Sequence, residues 1–387
     1  MPPPLAGIRV LDLTANISGP CATMILAALG ADVIKVERPG SGDEARHMAP
    51  LSEGGPPFSE KWSAYFLAIN RGKRSIAIDL SQPEGIALVQ RLATKVDVFV
   101  ENFRGGKADE MGLSEAALRK TNPNLIYASL SAFGPRGPDR EKPGYDALVQ
   151  ARTGIQSVTG EPGTSGARAG VSVLDMGSGM WMALGIVTAL FDRMRNGSGG
   201  RVEGSLYQTG VMWMAYHLIA RQITGADPTP QGTRIGAFAP YGDFPTADSR
   251  VLIGISNDRL FARLCSSLGE PGLANDPRFA TNPQRVLNRE LLDRELERIF
   301  RGKTTAEWLE QFDRAGIPAS RIQTAGEVLD DPQLAALAQM QPLPEIGGFA
   351  PTLPIEISGF TPSAGRVPRL GEHTEEVLRE AGLPPWK

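Results

Sequence analysis

The sequence predicts an α/β protein with a doubly wound parallel sheet in a large domain and a second, smaller α+β domain. Residues 8–13 and 33–36 have the apolar pattern of buried strands, and a helical segment between them opens at Gly19-Pro20 and closes at Gly30. This order is typical of a βαβ unit with parallel strands. Strand-like and helical segments continue to alternate at 75–80, 83–93, 96–100, 114–120 and 125–130. The alternation favours an open sheet whose ligands bind at the carboxyl ends of the strands.

Length and composition are those of a globular protein without a specialised charged surface. The chain has 387 residues, of which 41% are hydrophobic, so it can bury the cores of two domains. The formal net charge is −3 with both signs dispersed, and we therefore expect neither a nucleic-acid-binding nor a membrane-binding surface. The longest apolar run, at 180–191, is too short to span a bilayer.

The cysteines and histidines argue against disulfide and metal chemistry. Cys21 and Cys265 lie far apart and lack disulfide or metal-ligand spacing, which fits a reducing, cytoplasmic setting. The three histidines, His47, His217 and His373, are not at ligand spacing with one another or with a cysteine. We therefore expect no metal site and no His-dependent catalytic triad.

A change of composition near Ala226 marks the second domain. A stretch rich in proline, glycine and polar residues is followed by a predicted strand at 251–255. Three amphipathic helices are predicted next, at 258–268, 288–300 and 305–315, and this domain ends near Pro332. The remaining tail has a strand-like segment at 355–357 and a terminal helix within LGEHTEEVLREAGL.

Asp175 is the candidate catalytic residue of the sequence. Three apolar positions precede it, Gly177-Ser178-Gly179 follows, and residues 180–191 form an apolar helix. A carboxylate at a helix start is stabilised by the helix dipole, so we expect Asp175 to be ionised at pH 7. We interpret Gly-Ser-Gly as a turn that clears side chains from the carboxylate so that a ligand can approach. The alternative is that Asp175 only caps the helix.

Cationic and polar residues follow several predicted strands. In the segment INRGKRS, arginine and lysine side chains precede a strand and suit a diphosphate, because arginine matches phosphate geometry; the alternative is a solvated surface loop. Phe103 is expected to stack on the flat base of a ligand or to line a narrow channel. The alternative is that it packs in the core. The residues concerned are Arg38, Arg71, Lys73, Arg74, Asn102, Phe103 and Ser131.

The segment 134–170 is a long loop rich in glycine, proline and charge that ends shortly before Asp175. Long loops in compact domains tend to be functional. Within it, Tyr145-Asp146 opens a short helix, with Gln150 one turn further on.

An ordered set of motifs resembles the class III CoA-transferase family of the CaiB/BaiF type, which also contains α-methylacyl-CoA racemases. The motifs cover almost the whole chain: GIRVLDL, GADVIKVERPGSGDEAR, NRGKRSIAIDL, DVFVENFRGG, GYDALVQARTG, GRVEGSLYQ, DPRFATNPQRVLNR, GIPASRI and LGEHTEEVL. The resemblance implies a Rossmann-like large domain made from both chain ends, and two ring-shaped subunits interlocked as a homodimer. The implied domains are 1–225 for CoA binding and the nucleophile, 226–332 for the small domain, and 333–387 for the return to the large domain.

The resemblance also implies the chemistry. Asp175 matches the family nucleophile, which attacks an acyl-CoA to give a mixed anhydride and then an aspartyl-CoA thioester, before CoA passes to a free carboxylic acid. The Gly-Ser-Gly turn is expected to supply N–H donors for the oxyanion. Coenzyme A is substrate here, and no permanently bound cofactor or metal is implied.

The CoA contacts carry over residue by residue. They are Ile17, Ser18, Arg38, Ile78, Asp79, Leu80, Ser81, Asn102, Phe103, Arg104, Tyr145 and Asp146. Glu110 stands where the family has a phosphate-binding arginine, which puts that contact in doubt. Arg234 or Tyr241 would meet a second carboxylate on the acceptor and would suggest succinyl-CoA with a dicarboxylic acid; the alternative is a plain surface loop.

Three alternatives differ in the residues they require. Racemases have a histidine at the position of Tyr145, and tyrosine, with a reference pKa of about 10, is a poor general base at neutral pH. A formyl-CoA:oxalate enzyme is disfavoured because Thr14-Ala15-Asn16 replaces a histidine-containing loop. A non-catalytic CoA-binding protein would not need Asp175.

Overall fold

The computed structural model describes residues 2–52, 61–363 and 365–386. Its strands are β1 Arg9–Leu13, β2 Asp32–Glu37, β3 Lys73–Ala77, β4 Val98–Glu101, β5 Ile126–Ser131, β6 Arg201–Ser205, β7 Tyr241–Pro245, β8 Arg250–Gly254, β9 Ala319–Arg321, β10 Met340–Leu343 and β11 Gly348–Pro351. Its helices are α1 Ser18–Ala28, α2 Ala64–Ile69, α3 Pro83–Ala93, α4 Lys107–Glu110, α5 Glu115–Arg119, α6 Asp146–Thr153, α7 Ile155–Val158, α8 Val173–Asn196, α9 Leu206–Trp213, α10 Ala215–Thr224, α11 Asp258–Ser267, α12 Gly272–Asn275, α13 Asn282–Leu287, α14 Arg289–Phe300, α15 Thr305–Ala315, α16 Ala325–Leu329, α17 Pro332–Ala336 and α18 Thr374–Glu380, with a 3₁₀ turn at Glu44–His47.

The chain forms two compact units. Unit 1 comprises residues 1–155, 169–223 and 333–387, and unit 2 comprises residues 156–168 and 224–332. Segment 156–168, which is predicted to belong to the large domain, is part of unit 2 in the structure. Its backbone pairs there with the later part of the unit, since the N–H of Gly232 donates to the carbonyl oxygen of Gly160 at 2.8 Å. A contact between segments so distant in sequence has no local sequence signal.

Unit 1 is built on a six-stranded parallel sheet. The strand order is β3-β2-β1-β4-β5-β6, and each neighbouring pair is parallel. This is the doubly wound order in which the chain reverses direction beside β1, so ligands are expected outside the carboxyl ends of the strands near that point. The predicted α/β class with a parallel sheet is confirmed.

The apolar strand residues point alternately to the two faces of the sheet, and helices cover each face. Phe99 and Tyr127 face α3, α5 and the C-terminal helix α18. Val100 and Ala128 face α1 and α8 on the other side. Because both faces are buried, the strands need continuous rather than alternating apolar runs. Helix α8 thus lies against one face of the sheet, with its first turn near the carboxyl ends of the strands.

Unit 2 has its own core around a three-stranded antiparallel sheet, β7-β8-β9. Of these strands, the sequence predicted only β8. Arg285 is fully buried in this unit and donates to the carbonyl oxygens of Ala239 at 2.6 Å and Phe279 at 3.0 Å, and to Asp258 at 2.8 Å. This buried guanidinium joins three separate segments of unit 2.

Other predicted elements differ from those observed. The strand predicted at 75–80 is β3, Lys73–Ala77, so Lys73 and Arg74 belong to a strand and not to a loop. The tail forms an antiparallel hairpin, β10-β11, while the segment predicted as a strand at 355–357 contributes only an isolated bridge between Ile357 and Phe360. Helix α8 has 24 residues, and by length and composition alone it could cross a membrane. The predicted apolar run at 180–191 is shorter and could not.

Candidate active site

Asp175 lies in the first turn of α8. The helix begins at Val173, and Ser172 precedes it without a side-chain hydrogen bond to the helix start. Gly177, Ser178 and Gly179 are helical, so the predicted Gly-Ser-Gly turn is wrong. Inside a helix their N–H groups bond to carbonyl oxygens four residues earlier, and the oxyanion donors expected there are occupied.

The two glycines serve helix packing rather than ligand access. A Cβ atom on Gly177 would lie 2.3 Å from the ring of Trp213, and one on Gly179 would lie 2.8 Å from both the Ser18 carbonyl oxygen and Cys21 Cβ. Between them, Ser178 donates to the Thr209 hydroxyl at 2.9 Å. Small side chains therefore let α8 approach α9 on one side and the start of α1 on the other, which brings Asp175 toward the β1–α1 loop.

Asp146 holds the start of α8. Its Oδ2 atom accepts the backbone N–H groups of Leu174 at 2.7 Å and Asp175 at 3.1 Å. Its side chain is 7% exposed, and it comes from the first position of α6. A carboxylate from another helix thus performs the capping that Ser172 does not, because the first N–H groups of a helix lack partners within it.

The carboxyl group of Asp175 has a strongly raised pKa. Burial disfavours its charged form, and the neighbouring Asp146 adds like-charge repulsion, so that its pKa rises from 3.8 to about 7. That rise corresponds to about 4 kcal/mol, whereas the helix dipole contributes up to about 2 kcal/mol for a partly buried group in the opposite direction. The expectation of a fully ionised Asp175 at pH 7 is therefore wrong; the group is about half ionised there.

Several predicted CoA contacts lie at the carboxyl ends of β1 and β4, which are neighbours in the sheet. Ile17 is half-buried directly before α1, and Ser18 begins that helix and is buried. The Asn102 side chain binds the loop between β1 and α1. Its oxygen accepts the N–H of Ala15 at 2.9 Å, and its NH₂ group donates to the Ala15 carbonyl oxygen at 2.8 Å. Asn102 therefore fixes the shape of the β1–α1 loop.

The next two strand ends bring Arg38 and Asp79 close together. Arg38 is exposed after β2. The Ser81 hydroxyl and N–H donate to Asp79, and together with Arg38 they lower the pKa of that carboxyl group. Ile78 is fully buried in the core, and Leu80 packs partly against it. Side chains at 79 and 81 thus face solvent beside Arg38, while 78 is structural.

Lys73 and Arg74 do not form the predicted phosphate site, because both side chains are engaged within the protein. The Lys73 side chain is completely buried, and its ammonium donates to Asp12 at 3.0 Å and to Asn70 at 2.9 Å. Arg74 pairs with Asp32 at 2.6 Å and with the C-terminal helix. Arg71 is buried, and desolvation lowers its pKa. Nor is the segment the solvated loop of the alternative interpretation.

A cavity of about 330 Å³ lies at the carboxyl ends of β4, β5 and β6, on the sheet face opposite α8. Phe103 and Arg104 form part of its wall. Phe103 also packs against the core, and its N–H donates to Glu101 at 2.7 Å. Arg104 is exposed and pairs with Glu110, which also pairs with Lys107. Glu110 therefore pairs with two cations at the position where the resemblance implies a phosphate-binding arginine.

The remaining predicted residues have different surroundings. Tyr145, directly before α6, is 64% exposed, and no described histidine donates to or accepts from Asp175. In unit 2, Arg234 pairs with Asp293 at 2.9 Å, and Tyr241 is half-buried at the start of β7 beside Gly254.

An open doubly wound α/β sheet binds its ligands outside the carboxyl ends of its strands, and Asp175 lies on a helix that begins near these ends. The model of CoA-transferase family III matches residues 5–374, and the chain belongs to this family of enzymes. It is 37% identical to the succinyl-CoA:glutarate CoA-transferase of Mus musculus, over 97% of this chain and 86% of the relative. It is 38% identical to the succinate–glutarate CoA-transferase of Agrobacterium fabrum, over 98% and 96%. A crystal structure of a CaiB/BaiF family protein from Brucella suis matches with a TM-score of 0.89 at 35% identity, over 98% of this chain and 100% of that one.

Proposed function

We propose that this CoA-transferase moves CoA from an acyl-CoA donor to a free dicarboxylic acid through covalent intermediates on Asp175. The observation that carries the proposal is the half-buried Asp175 carboxyl group, whose pKa burial and Asp146 raise to about 7. A carboxylate of that basicity is a stronger nucleophile than an ordinary one, yet half of it is ionised at neutral pH. It needs no separate base to attack a thioester.

The reaction consists of four acyl transfers. A carboxylate oxygen of Asp175 attacks the thioester carbonyl, the C–S bond breaks, and CoA thiolate leaves a mixed anhydride. The thiolate attacks the Asp175 carbonyl carbon of the anhydride, which releases the donor acid as its carboxylate and leaves an aspartyl-CoA thioester. The acceptor carboxylate then attacks that thioester and displaces the thiolate, giving a second anhydride. The thiolate finally attacks the acceptor's acyl carbon, which forms the new acyl-CoA and restores Asp175.

CoA is proposed to bind along the carboxyl ends of the four adjoining strands β3, β2, β1 and β4. The support is that predicted contacts at Ser18, Arg38 and Asn102 follow strands that adjoin in the sheet. Arg38 is exposed and suits a phosphate group. The full proposed set is Ile17, Ser18, Arg38, Ile78, Asp79, Leu80, Ser81, Asn102, Phe103, Arg104, Tyr145 and Asp146, in a CoA-binding domain formed by both chain ends. Ile78 would contribute its backbone, because its side chain is buried, and Asp146 would act by holding the start of α8.

The choice of a dicarboxylic acceptor rests on the relatives, since two of them are named for succinyl-CoA or succinate with glutarate. Arg234 is the candidate for the second carboxylate, although Asp293 already partners it. Two acids of equal chain length test whether the acceptor needs a second carboxylate. Glutarate should accept CoA, and pentanoate should not.

A homodimer is proposed as the working form, as the family resemblance implies. Unit 1 exposes large apolar side chains along the outer side of α8 and on α9 and α10, among them Met180, Trp181, Phe191, Tyr216 and Ile223. A surface patch of this size is typical of a protein interface, and a second copy of this chain is the proposed occupant. We also propose a cytoplasmic location, on the ground that both cysteines are free and buried.

Mass spectrometry tests the covalent mechanism. After incubation with succinyl-CoA, the peptide containing Asp175 should carry a CoA or acyl mass that hydroxylamine removes. Asp175→Ala should lack both the label and the exchange activity, while Asp192→Ala, an exposed carboxylate on the same helix, should retain them. Transfer by the Asp175→Ala protein would refute the nucleophile.

The racemase alternative makes a different prediction. Moving an α-proton between faces requires a second base, and Tyr145 stands where racemases carry histidine. Exchange of α-deuterium from solvent into a 2-methylacyl-CoA without any label on Asp175 would favour racemisation and contradict transfer.

A further inference from the structure

Each N–H group in the first turn of α8 already has an acceptor within the protein. The acceptors are the Val171 carbonyl oxygen for Val173, the Asp146 carboxyl group for Leu174 and Asp175, and the Ser172 carbonyl oxygen for Met176. The later N–H groups bond within the helix. An oxyanion that forms when Asp175 attacks a carbonyl group therefore needs donors from another element.

Helix α1 begins beside the first turn of α8. Both helices run from the carboxyl ends of the parallel strands toward their amino ends, because α1 follows β1 and α8 precedes β6. The two helices pack closely, since a Cβ atom on Gly179 would lie 2.8 Å from the Ser18 carbonyl oxygen. Asp175 lies one turn before Gly179 on the same face of α8. Its carboxyl group is therefore placed just ahead of the start of α1.

Ser18 and Gly19 bring hydrogen-bond donors to this place. Their N–H groups stand at the start of α1, where Ile17 provides no side-chain cap, and neither donates to any residue in the part of the chain that the structure describes. The Ser18 hydroxyl also lacks a partner among those residues, although Ser18 is only 7% exposed, and its oxygen is not enclosed. Helical side chains tilt toward the N-terminus of their helix, so this hydroxyl points toward the level of Asp175. Such donors suit an oxygen that carries negative charge.

The loop that leads into α1 is fixed before any substrate binds. Each polar backbone group from the N–H of Thr14 to the N–H of Asn16 bonds to a side chain. These side chains are Asp12 for the Thr14 N–H, Lys35 for the Thr14 carbonyl oxygen, Asn102 for both groups of Ala15, and Asp43 for the Asn16 N–H. The donors at the start of α1 are thus held in place, and preorganised donors are the ones that stabilise a transition state.

We propose that the start of α1 is the oxyanion site of the acyl transfers, with the Ser18 hydroxyl as its side-chain donor and the N–H groups of Ser18 and Gly19 as its backbone donors. This inference rests on the proposed function, and it narrows the contact of Ser18 with acyl-CoA to the thioester oxygen. When a carboxylate oxygen of Asp175 adds to the acyl carbon, the electron pair of the carbonyl double bond moves onto the acyl oxygen, where the donors bind the charge. The pair returns as the C–S bond breaks and CoA thiolate leaves.

The first test compares kcat for exchange between succinyl-CoA and labelled succinate with the Kd for free CoA, measured by calorimetry. Ser18→Ala removes the hydroxyl but no hydrogen bond within the described residues. We expect kcat to fall about 100-fold, as it does when one oxyanion donor is removed from other acyl-transfer enzymes. The Kd should stay unchanged, because free CoA has no acyl oxygen. A kcat close to that of the wild type would overturn the inference, and so would a loss of activity matched by equally weaker CoA binding.

Formation of the covalent intermediate gives a second readout. The rate at which succinyl-CoA labels Asp175, followed by mass spectrometry, should also fall about 100-fold in Ser18→Ala. Labelling at the wild-type rate would overturn the inference while supporting the proposed function. Absence of both label and exchange in the wild type with any acyl-CoA would instead refute the proposed function.

Ser178→Ala is the matched control. Ser178 is a buried serine where α8 packs against its neighbours, but its hydroxyl donates to Thr209 at 2.9 Å. Its loss should lower stability and leave kcat unchanged. An equal loss of kcat in both variants would show that activity depends on helix packing in general, which would overturn the role of Ser18. If Ser18→Ala does not fold, Ser18→Gly, which also lacks the hydroxyl, must show the same fall in kcat.

Discussion

Replacing Asp146 by asparagine should make the nucleophile more acidic. Asp175 has a pKa of about 7 instead of 3.8, a rise of about three units, and burial is the larger of its two causes. Asp146 therefore accounts for less than half of the rise, and we assign it about one unit, or about 1.4 kcal/mol. The substitution removes this like charge, while the asparagine oxygen can still accept the N–H groups of Leu174 and Asp175. The pKa of Asp175 should fall to about 6.

The consequence is measurable in the acid limb of kcat/KM, which reports the free enzyme. At pH 6 about a tenth of the wild-type groups are ionised, compared with about half in Asp146→Asn. Activity at pH 6, expressed as a fraction of each protein's own plateau, should thus rise about fivefold. The plateau itself should fall, because a less basic carboxylate is a weaker nucleophile and because the asparagine NH₂ meets the NH₂ of Gln150.

Exchange of labelled succinate into succinyl-CoA between pH 5 and pH 9 provides the assay. Asp192→Asn removes an exposed carboxylate elsewhere on α8 and should leave the limb where it is. A limb that stays at the same pH in Asp146→Asn, or moves upward, would show that Asp146 does not set the basicity of Asp175.

Three further predictions concern stability and are measured by urea unfolding. The folded protein holds the Asp175 proton more tightly than the unfolded chain, so the stability of the wild type relative to Asp175→Asn should fall by up to about 4 kcal/mol as the pH rises from 4 to 7; a difference that stays constant with pH would contradict the raised pKa. Gly179→Ala should destabilise by about 1 to 3 kcal/mol because its Cβ would meet the Ser18 carbonyl, while Gly200→Ala, with open space around it, should be near neutral; equal effects would exclude the close helix approach. Arg285→Met should lower stability by about 3 kcal/mol, because the buried carbonyl oxygens of Ala239 and Phe279 lose their hydrogen-bond donor. A change under about 1 kcal/mol would mean that water takes the place of the guanidinium.

The sheet was predictable because its signal is local. Each buried strand is an apolar run followed by a turn and a helix, and β1 with β2 needs only some thirty residues to be recognised as a βαβ unit. The interpretation of Lys73 and Arg74 failed for the opposite reason. A buried lysine needs a partner for its charge, and the partner of Lys73, Asp12, lies 61 positions earlier in the chain. Nothing in the sequence around β3 indicates that partner.

The candidate site shows the same division between local and distant causes. Asp175 was found from its own surroundings, a carboxylate ahead of an apolar helix. Gly177 and Gly179 suggested a turn because glycine is unfavourable within helices, but close contact with Trp213 and α1 overrides that preference. Asp146 was assigned to the substrate, since its bonds to α8 connect positions 28 and 29 residues apart.

The pair of carboxylates reconciles two demands on a nucleophile. A carboxylate with an ordinary pKa would be fully ionised at neutral pH but weakly nucleophilic, and one with a much higher pKa would seldom be ionised. Burial and Asp146 raise the pKa of Asp175 to about 7. At neutral pH about half of the molecules then carry the charged carboxylate, and that carboxylate is more basic than an ordinary one. The N–H groups of Leu174 and Asp175 and the amide of Gln150 fix the Asp146 carboxyl group beside Asp175. The same hydrogen bonds that begin the helix therefore set the reactivity of the residue it carries.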